Sequence, residues 1–307
     1  MTDKPFGRGF DHEAMAELGH GAPEWWFDLL RQWRVPGAPS DAGMPLRLAV
    51  RNGTLNFYRR GQSVAQVGFG RGRRPYARVH EKYCREAKEG SGYLRCEAAW
   101  REPGSGFLAT VEEWTSRADG YADAEKSFVE TLVAVEPRVI DLEIGLPGYK
   151  PKDGSAKRRS LRIDLALLKR IELGWELAFW EVKLKGDPRL VASGNMAPEV
   201  VAQMAEYAPF LQRNTETLRA AYVETCKVQV ALAEQARAAG NPIILSDAIE
   251  AVAGGAALAV KQDVGLLVQD PSGGRDDIAW RKHRLKLVDH FGDQLRWMTE
   301  AERLTHG

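Results

Sequence analysis

Two acids and a lysine stand in this chain where they could hold a cation and move a proton. Asp164 interrupts the apolar run Arg162-Ile163-Asp164-Leu165-Ala166-Leu167-Leu168. After a charged turn, Lys169 to Gly174, a second apolar run ends in Glu181-Val182-Lys183. Side chains alternate between the faces of an extended strand, so Glu181 and Lys183 share one face. A hairpin joining the two runs can bring Asp164 beside Glu181. Charges among apolar residues are costly unless partnered. A divalent cation, Mg²⁺ or Mn²⁺, removes that cost, because it prefers carboxylate oxygens and keeps some of its waters. A cation held this way activates water and neutralises charge developing on a phosphate, which is what phosphodiester hydrolysis requires. A lysine two residues from a ligand can orient that water or stabilise the negative transition state.

Two flanking stretches extend the set. Upstream, Ala124-Glu125-Lys126-Ser127-Phe128-Val129-Glu130-Thr131-Leu132 reads as a helix. Downstream, Gln203-Met204-Ala205-Glu206-Tyr207 puts an amide and a phenol one helical turn apart, facing the same way.

Together these pieces resemble the PD-(D/E)XK nucleases. That family has a core helix with a Glu, a strand with a metal-binding Asp and a strand with (D/E)-X-K. Asp164 matches the Asp, Glu181-Val182-Lys183 the E-X-K, and Gln203 with Tyr207 the Q-x-x-x-Y of the RecB-like branch. Glu125 stands where the helix Glu is usually found, with Glu130 as the alternative. The resemblance spans about Tyr121 to Phe210, and it departs from the family's name at Ile163, where no proline precedes the Asp.

The resemblance implies a fold, an activity and roles. The fold would be α/β, a restriction-endonuclease-like mixed sheet flanked by helices. Asp164 and Glu181 would bind Mg²⁺ or Mn²⁺, with the carbonyl of Val182 as third ligand. Lys183 would activate or position water, Glu125 would support metal or water, and Gln203 and Tyr207 would place the scissile strand. The substrate would be DNA in preference to RNA, and the setting repair, recombination or defence against foreign DNA. The rival is a catalytically inactive adaptor of the same fold that binds nucleic acid or a protein.

Basic residues supply candidate phosphate contacts. Lys157, Arg158, Arg159 and Arg162 lead into the Asp164 run and could hold a nucleic-acid backbone. Arg71, Arg73, Arg74 and Arg78 form a second cluster, with Tyr76 as a stacking platform, although a solvated face accounts for it as well. Gly68-Phe69-Gly70-Arg71-Gly72 lacks the lysine and serine of a nucleotide-binding loop. No HExxH and no Ser-His-Asp grouping is evident.

These residues need elements to position them. The segment Pro23–Arg34 has an apolar face of Trp25, Trp26, Phe27, Leu29, Leu30 and Trp33, as an amphipathic helix should. Leu46–Val50, Thr54–Tyr58 and Ser63–Phe69 read as strands of an antiparallel meander, turned by Arg51-Asn52-Gly53 and Arg60-Gly61-Gln62. A further strand is expected at Val139–Ile144. Beyond the site, the spacing predicts a long helix over Ala197–Ala239 broken near Pro209, a strand at Val264–Val268 and a last helix over Ala279–Met298.

The expected division is an N-terminal α+β domain, residues 1–118, that recognises substrate or partner, and a nuclease domain, residues 119–307, with a C-terminal helical extension. The N-terminal domain is also where a second copy of the chain or another protein could dock. Of the 307 residues, 44% are hydrophobic and 28% charged, enough to build a core, and the net charge of +1 argues against a wholly basic nucleic-acid coat protein. Cys84, Cys96 and Cys226 form no CxxC, which argues against a zinc knuckle and suits reduced thiols. Met1 to Phe10 has no apolar core, and no apolar run approaches a membrane span, so a cytoplasmic protein with no membrane partner is expected.

Overall fold

The computed structural model describes residues 6–18, 21–38, 46–84, 92–96, 110–147, 161–194, 196–272 and 278–304. The chain is mixed α/β and divides into two compact units, Gly7–Pro137 with Ala221–Ala256, and Arg138–Ala220 with Ala257–Gly307 and the residues through Phe6. The contact boundary lies at 137/138 and not at 118/119, and the segment 221–256 belongs with the N-terminal unit.

The N-terminal unit begins with α1 (His12–Glu17) and α2 (Glu24–Gln32). A sheet follows, made of β1 (Arg47–Arg51), β2 (Thr54–Arg59), β3 (Gln62–Phe69), β4 (Pro75–His80) and, after the short α3 (Glu81–Cys84), β5 (Tyr93–Cys96). Its strands run in the order β1-β2-β3-β4-β5, every pair antiparallel. Gly53 and Gly61 take positive φ in the first two turns, as tight hairpins require. Two helices follow, α4 (Val111–Asp119) and α5 (Ala124–Val135). A capping box between Thr110 and Glu113 starts α4 by satisfying two otherwise orphaned amides. Trp25, Trp26, Leu29 and Leu30 of α2, Trp114 of α4 and Phe57 of β2 are fully buried, each stabilising the unit by roughly 1.5–3 kcal/mol or more. Arg47 crosses this core to meet Glu130 at 2.8 Å, both buried.

The second unit is built on β6 (Val139–Leu146), β7 (Leu161–Ile171) and β8 (Gly174–Leu184). Three helices follow: α6 (Glu199–Ala205), α7 (Ala208–Arg213) and α8 (Thr215–Ala238), the unit boundary falling within α8. The later part of α8 joins the first unit, where Gln235 bonds Trp26 and the carbonyl of Met15. The same unit holds α9 (Asp247–Ala253). The second unit is completed by β9 (Leu258–Gln269), α10 (Ile278–Phe291) and β10 (Leu295–Met298). Its sheet has the order β10-β9-β8-β7-β6, antiparallel from β6 to β8 and parallel from β8 to β10. The central strand is therefore β8.

Three expectations need correction. The long helix is three helices, with breaks at Glu206–Tyr207 and at Asn214, and Pro209 sits harmlessly in the first turn of α7. The strand foreseen at Val264–Val268 extends over Leu258–Gln269 and pairs with β8 along its length. The last helix stops at Phe291, because Gly292, at φ +51, turns the chain into β10 beside β9. Among the described residues, no helix is long and apolar enough to cross a membrane.

Candidate metal and catalytic site

The site lies in the second unit, on the β7–β8 hairpin. The pairing of Ile171 with Gly174 sets the turn, and Gly174 is required there: at φ +126, a Cβ would come within 2.5 Å of the Ala257 carbonyl. Register then carries up the hairpin to Leu165 opposite Trp180. Asp164 and Glu181 follow this last pair on their strands, and both carboxylates reach the Lys183 ammonium. Asp164 Oδ2 also accepts the amide of Val182 at 2.7 Å. On its other side β8 is held by β9, Glu181, Val182 and Lys183 pairing with Leu266, Leu267 and Val268.

Lys183 turns its ammonium back along the strand. Nζ donates to Glu181 Oε1 at 2.7 Å and to the Val182 carbonyl at 2.7 Å, and lies 3.9 Å from Asp164 Oδ2. Glu181 is 3% and Lys183 2% exposed, so this charge pair is out of water. The three oxygens around Nζ are those that the sequence offers as metal ligands. A hard cation suits that donor set: two carboxylates and a carbonyl, all oxygen, converging on one point. Among the described residues there is no group of three or more His, Cys, Asp or Glu that could hold an ion. The fit therefore rests on a backbone oxygen as third donor, with water completing the shell.

Gln203 and Tyr207 fix the other side of Glu181. Gln203 Nε2 donates to Glu181 Oε1 at 2.7 Å and lies 3.0 Å from the Tyr207 hydroxyl. That hydroxyl lies 2.8 Å from the Arg162 carbonyl and 3.2 Å from Glu181 Oε2. It has one proton, so it donates to one of them at a time. Burial, with Glu181 and Asp164 beside it, pushes the Tyr207 phenol well above its ordinary value, so it stays a donor through neutral and alkaline pH. Gln203 and Tyr207 meet although the helix breaks between them: Gln203 is in α6 and Tyr207 precedes α7.

Sequence reasoning missed Arg189 and Asp187. Arg189 Nη1 reaches Gln203 Oε1 at 3.4 Å, while its Nε and backbone amide bond Asp187 Oδ1. Burial opposes ionisation of Asp187, but the hydrogen bonds from Arg189 outweigh it and hold the carboxyl below its ordinary range. An arginine bond to the amide oxygen turns the Gln203 nitrogen toward Glu181. No spacing rule marks this pair, which follows β8 where Asp187 caps the single helical turn Pro188–Leu190.

Arg162 is on β7, exposed, its guanidinium 2.7 Å from Glu143 Oε2. Lys157, Arg158 and Arg159 lie outside the described residues. Glu125 is in the first turn of α5, in the other compact unit, and Glu130 on the same helix is engaged by Arg47. Lys185, the alternating lysine beyond β8, pairs with Asp270 at 3.0 Å. Cys84 and Cys226 are buried, and burial pushes the Cys226 thiol up to about 12, which makes it unreactive.

No family model, no curated protein and no solved structure matches the chain significantly.

Proposed function

We propose that the chain is a divalent-metal-dependent nuclease of the PD-(D/E)XK kind, with DNA as its substrate and a restriction-endonuclease-like second unit. One observation carries the reading: Asp164 Oδ2, Glu181 Oε1 and the Val182 carbonyl surround a single buried cationic group, the Lys183 ammonium. A buried charge cluster of this kind is costly to keep for packing alone, because well-packed apolar residues serve a core at least as well.

Asp164, Glu181 and the Val182 carbonyl would hold Mg²⁺ or Mn²⁺. When bound, the ion supplies an activated water and neutralises charge on the phosphate. Asp164 is anchored by the Val182 amide, so its carboxylate is oriented before any ligand arrives. Glu181 is held by Gln203 and Tyr207, which leaves it little rotational freedom to lose. Lys183 then has a choice of partners. With the ion bound, the Lys183 ammonium would leave Glu181 and Val182 and could hold the water in place or donate to a phosphate oxygen, which gains negative charge as the P–O bond breaks.

The test is incubation of the full chain with plasmid and with single-stranded DNA in Mg²⁺ or Mn²⁺, beside Asp164→Asn and Lys183→Met. Cleavage by the wild type and its loss in both variants supports the reading. Equal cleavage by all three points to a contaminating nuclease. Absence of cleavage by the wild type on every substrate favours the adaptor.

A further inference from the structure

A second candidate surface lies in the N-terminal unit, on the open face of β3, β4 and β5. Ala77 and Val79 of β4 are buried on the inner face, so Tyr76 and Arg78 point outward. Register puts Arg95 of β5 directly opposite Arg78, and Tyr93 opposite His80. Cations and rings therefore alternate across the face. The Arg78 guanidinium lies 5.1 Å from the Tyr93 ring centre, and that of Arg95 lies 4.0 Å from the Tyr76 ring centre. Glycines make room for the second stack: a Cβ at Gly68 would meet the Tyr76 hydroxyl at 2.7 Å, and one at Gly70 would meet Arg95 Nη2 at 2.8 Å.

At the Tyr76 end, the turn between β3 and β4 opens into a cleft of about 430 Å³ lined by Gly70, Arg71, Gly72, Arg74 and Arg95. Arg73 leaves this cleft to pair with Glu13, which turns it away from its neighbours. Among the described residues, Arg71, Arg74 and Arg78 form no ion pair with a carboxylate. Register sets the guanidinium-bearing residues Arg78 and Arg95 side by side on this face, so a polyanion laid across it meets both. The exposed Tyr93 ring beside these cations specifies which polyanion: an acidic peptide satisfies arginines but has no flat bases to stack, and a duplex keeps its bases stacked inside.

We propose that this face binds single-stranded nucleic acid, with a base stacking on Tyr93 and phosphates held by Arg71, Arg74 and Arg78. The binding goes beyond hydrolysis and is read without turnover.

The experiment is fluorescence anisotropy of the full chain in EDTA, with labelled oligo-dT of about 20 nucleotides, longer than one such surface covers, and a duplex of the same length. Tyr93, Arg71 and Arg74 are exposed, so their removal leaves the core intact. Tyr93→Ala is expected to weaken single-strand binding about fivefold or more, and Tyr93→Phe to restore it. Arg71→Ala with Arg74→Ala is expected to reduce the slope of log affinity against log salt by about 1.4, about 0.7 for each lost phosphate contact. Unchanged affinity and slope in both variants would overturn the proposal. So would a duplex bound as tightly as the single strand, or poly-glutamate bound in preference and unaffected by Tyr93→Ala, which would make this a site for an acidic protein. Failure here leaves cleavage at Asp164 untouched, because that is read separately in Mg²⁺.

Discussion

Lys183 and Glu181 stand two residues apart on one face of β8, and their charged groups meet at 2.7 Å with almost no exposure to water. Each charge is tolerable because the other is present. Removing one member of such a pair strands the other, while removing both need cost little.

Lys183→Met is therefore expected to lower unfolding free energy by about 3–5 kcal/mol in metal-free buffer. Glu181→Gln combined with Lys183→Met should recover much of that loss. Urea denaturation of the two variants beside the wild type reads both values. Equal stability of the single and double variants would mean that the pair is not coupled.

A divalent cation can replace the missing ammonium. Mn²⁺ is expected to raise the melting temperature of Lys183→Met more than that of the wild type, where the ammonium must first be displaced from Glu181 and Val182. Adding Asp164→Asn should abolish the rise. Thermal scans with and without Mn²⁺ give the comparison, and an equal rise in all three proteins would place binding elsewhere.

Gln203 and Tyr207 act through Glu181. Gln203→Ala or Tyr207→Phe is expected to reduce Mn²⁺ affinity or cleavage about 10–100-fold, the usual effect of losing a partner that orients a ligand. Isothermal titration with Mn²⁺ separates lost affinity from lost turnover. Tyr207→Phe keeps the ring in its buried place, so a large drop in melting temperature would indicate a packing role instead.

Arg189 leaves a signature in pH. It holds the Asp187 carboxyl below its ordinary value of 3.8. A depressed carboxyl stabilises the fold at pH above that value, and the contribution is lost as pH falls through the lowered one. Arg189→Ala should thus be less stable than the wild type at about pH 6, with the gap closing toward about pH 2. A gap that is constant with pH would exclude the carboxylate as its source.

Much of this site was legible in the sequence because strand periodicity is strict. Asp164, Glu181 and Lys183 were readable as one face, since a one-residue slip would have turned the charges to the other side of the sheet. Gln203 and Tyr207 were readable as a pair, but not the break between them, because neither Gly nor Pro stands at Glu206 or Tyr207 to announce it. The meander of β1 to β3 followed from Asn52-Gly53 and Gly61. The strand β10 was hidden in a helical-looking stretch: Leu295 to Met298 is too short for alternation to show, and its partner β9 lies far away in sequence. The association of residues 221–256 with the N-terminal unit depends on long-range contacts such as Asn241 with the Leu30 and Trp33 carbonyls, which no local pattern encodes. Arg189 was invisible for the same reason.

The most direct measurement is anomalous scattering from a crystal of the full chain soaked in Mn²⁺. A peak is expected within coordination distance of Asp164, Glu181 and the Val182 carbonyl, with the Lys183 ammonium moved off Glu181. A peak bound by other residues, or none there while Lys183 keeps its bond to Glu181 at saturating Mn²⁺, would contradict it.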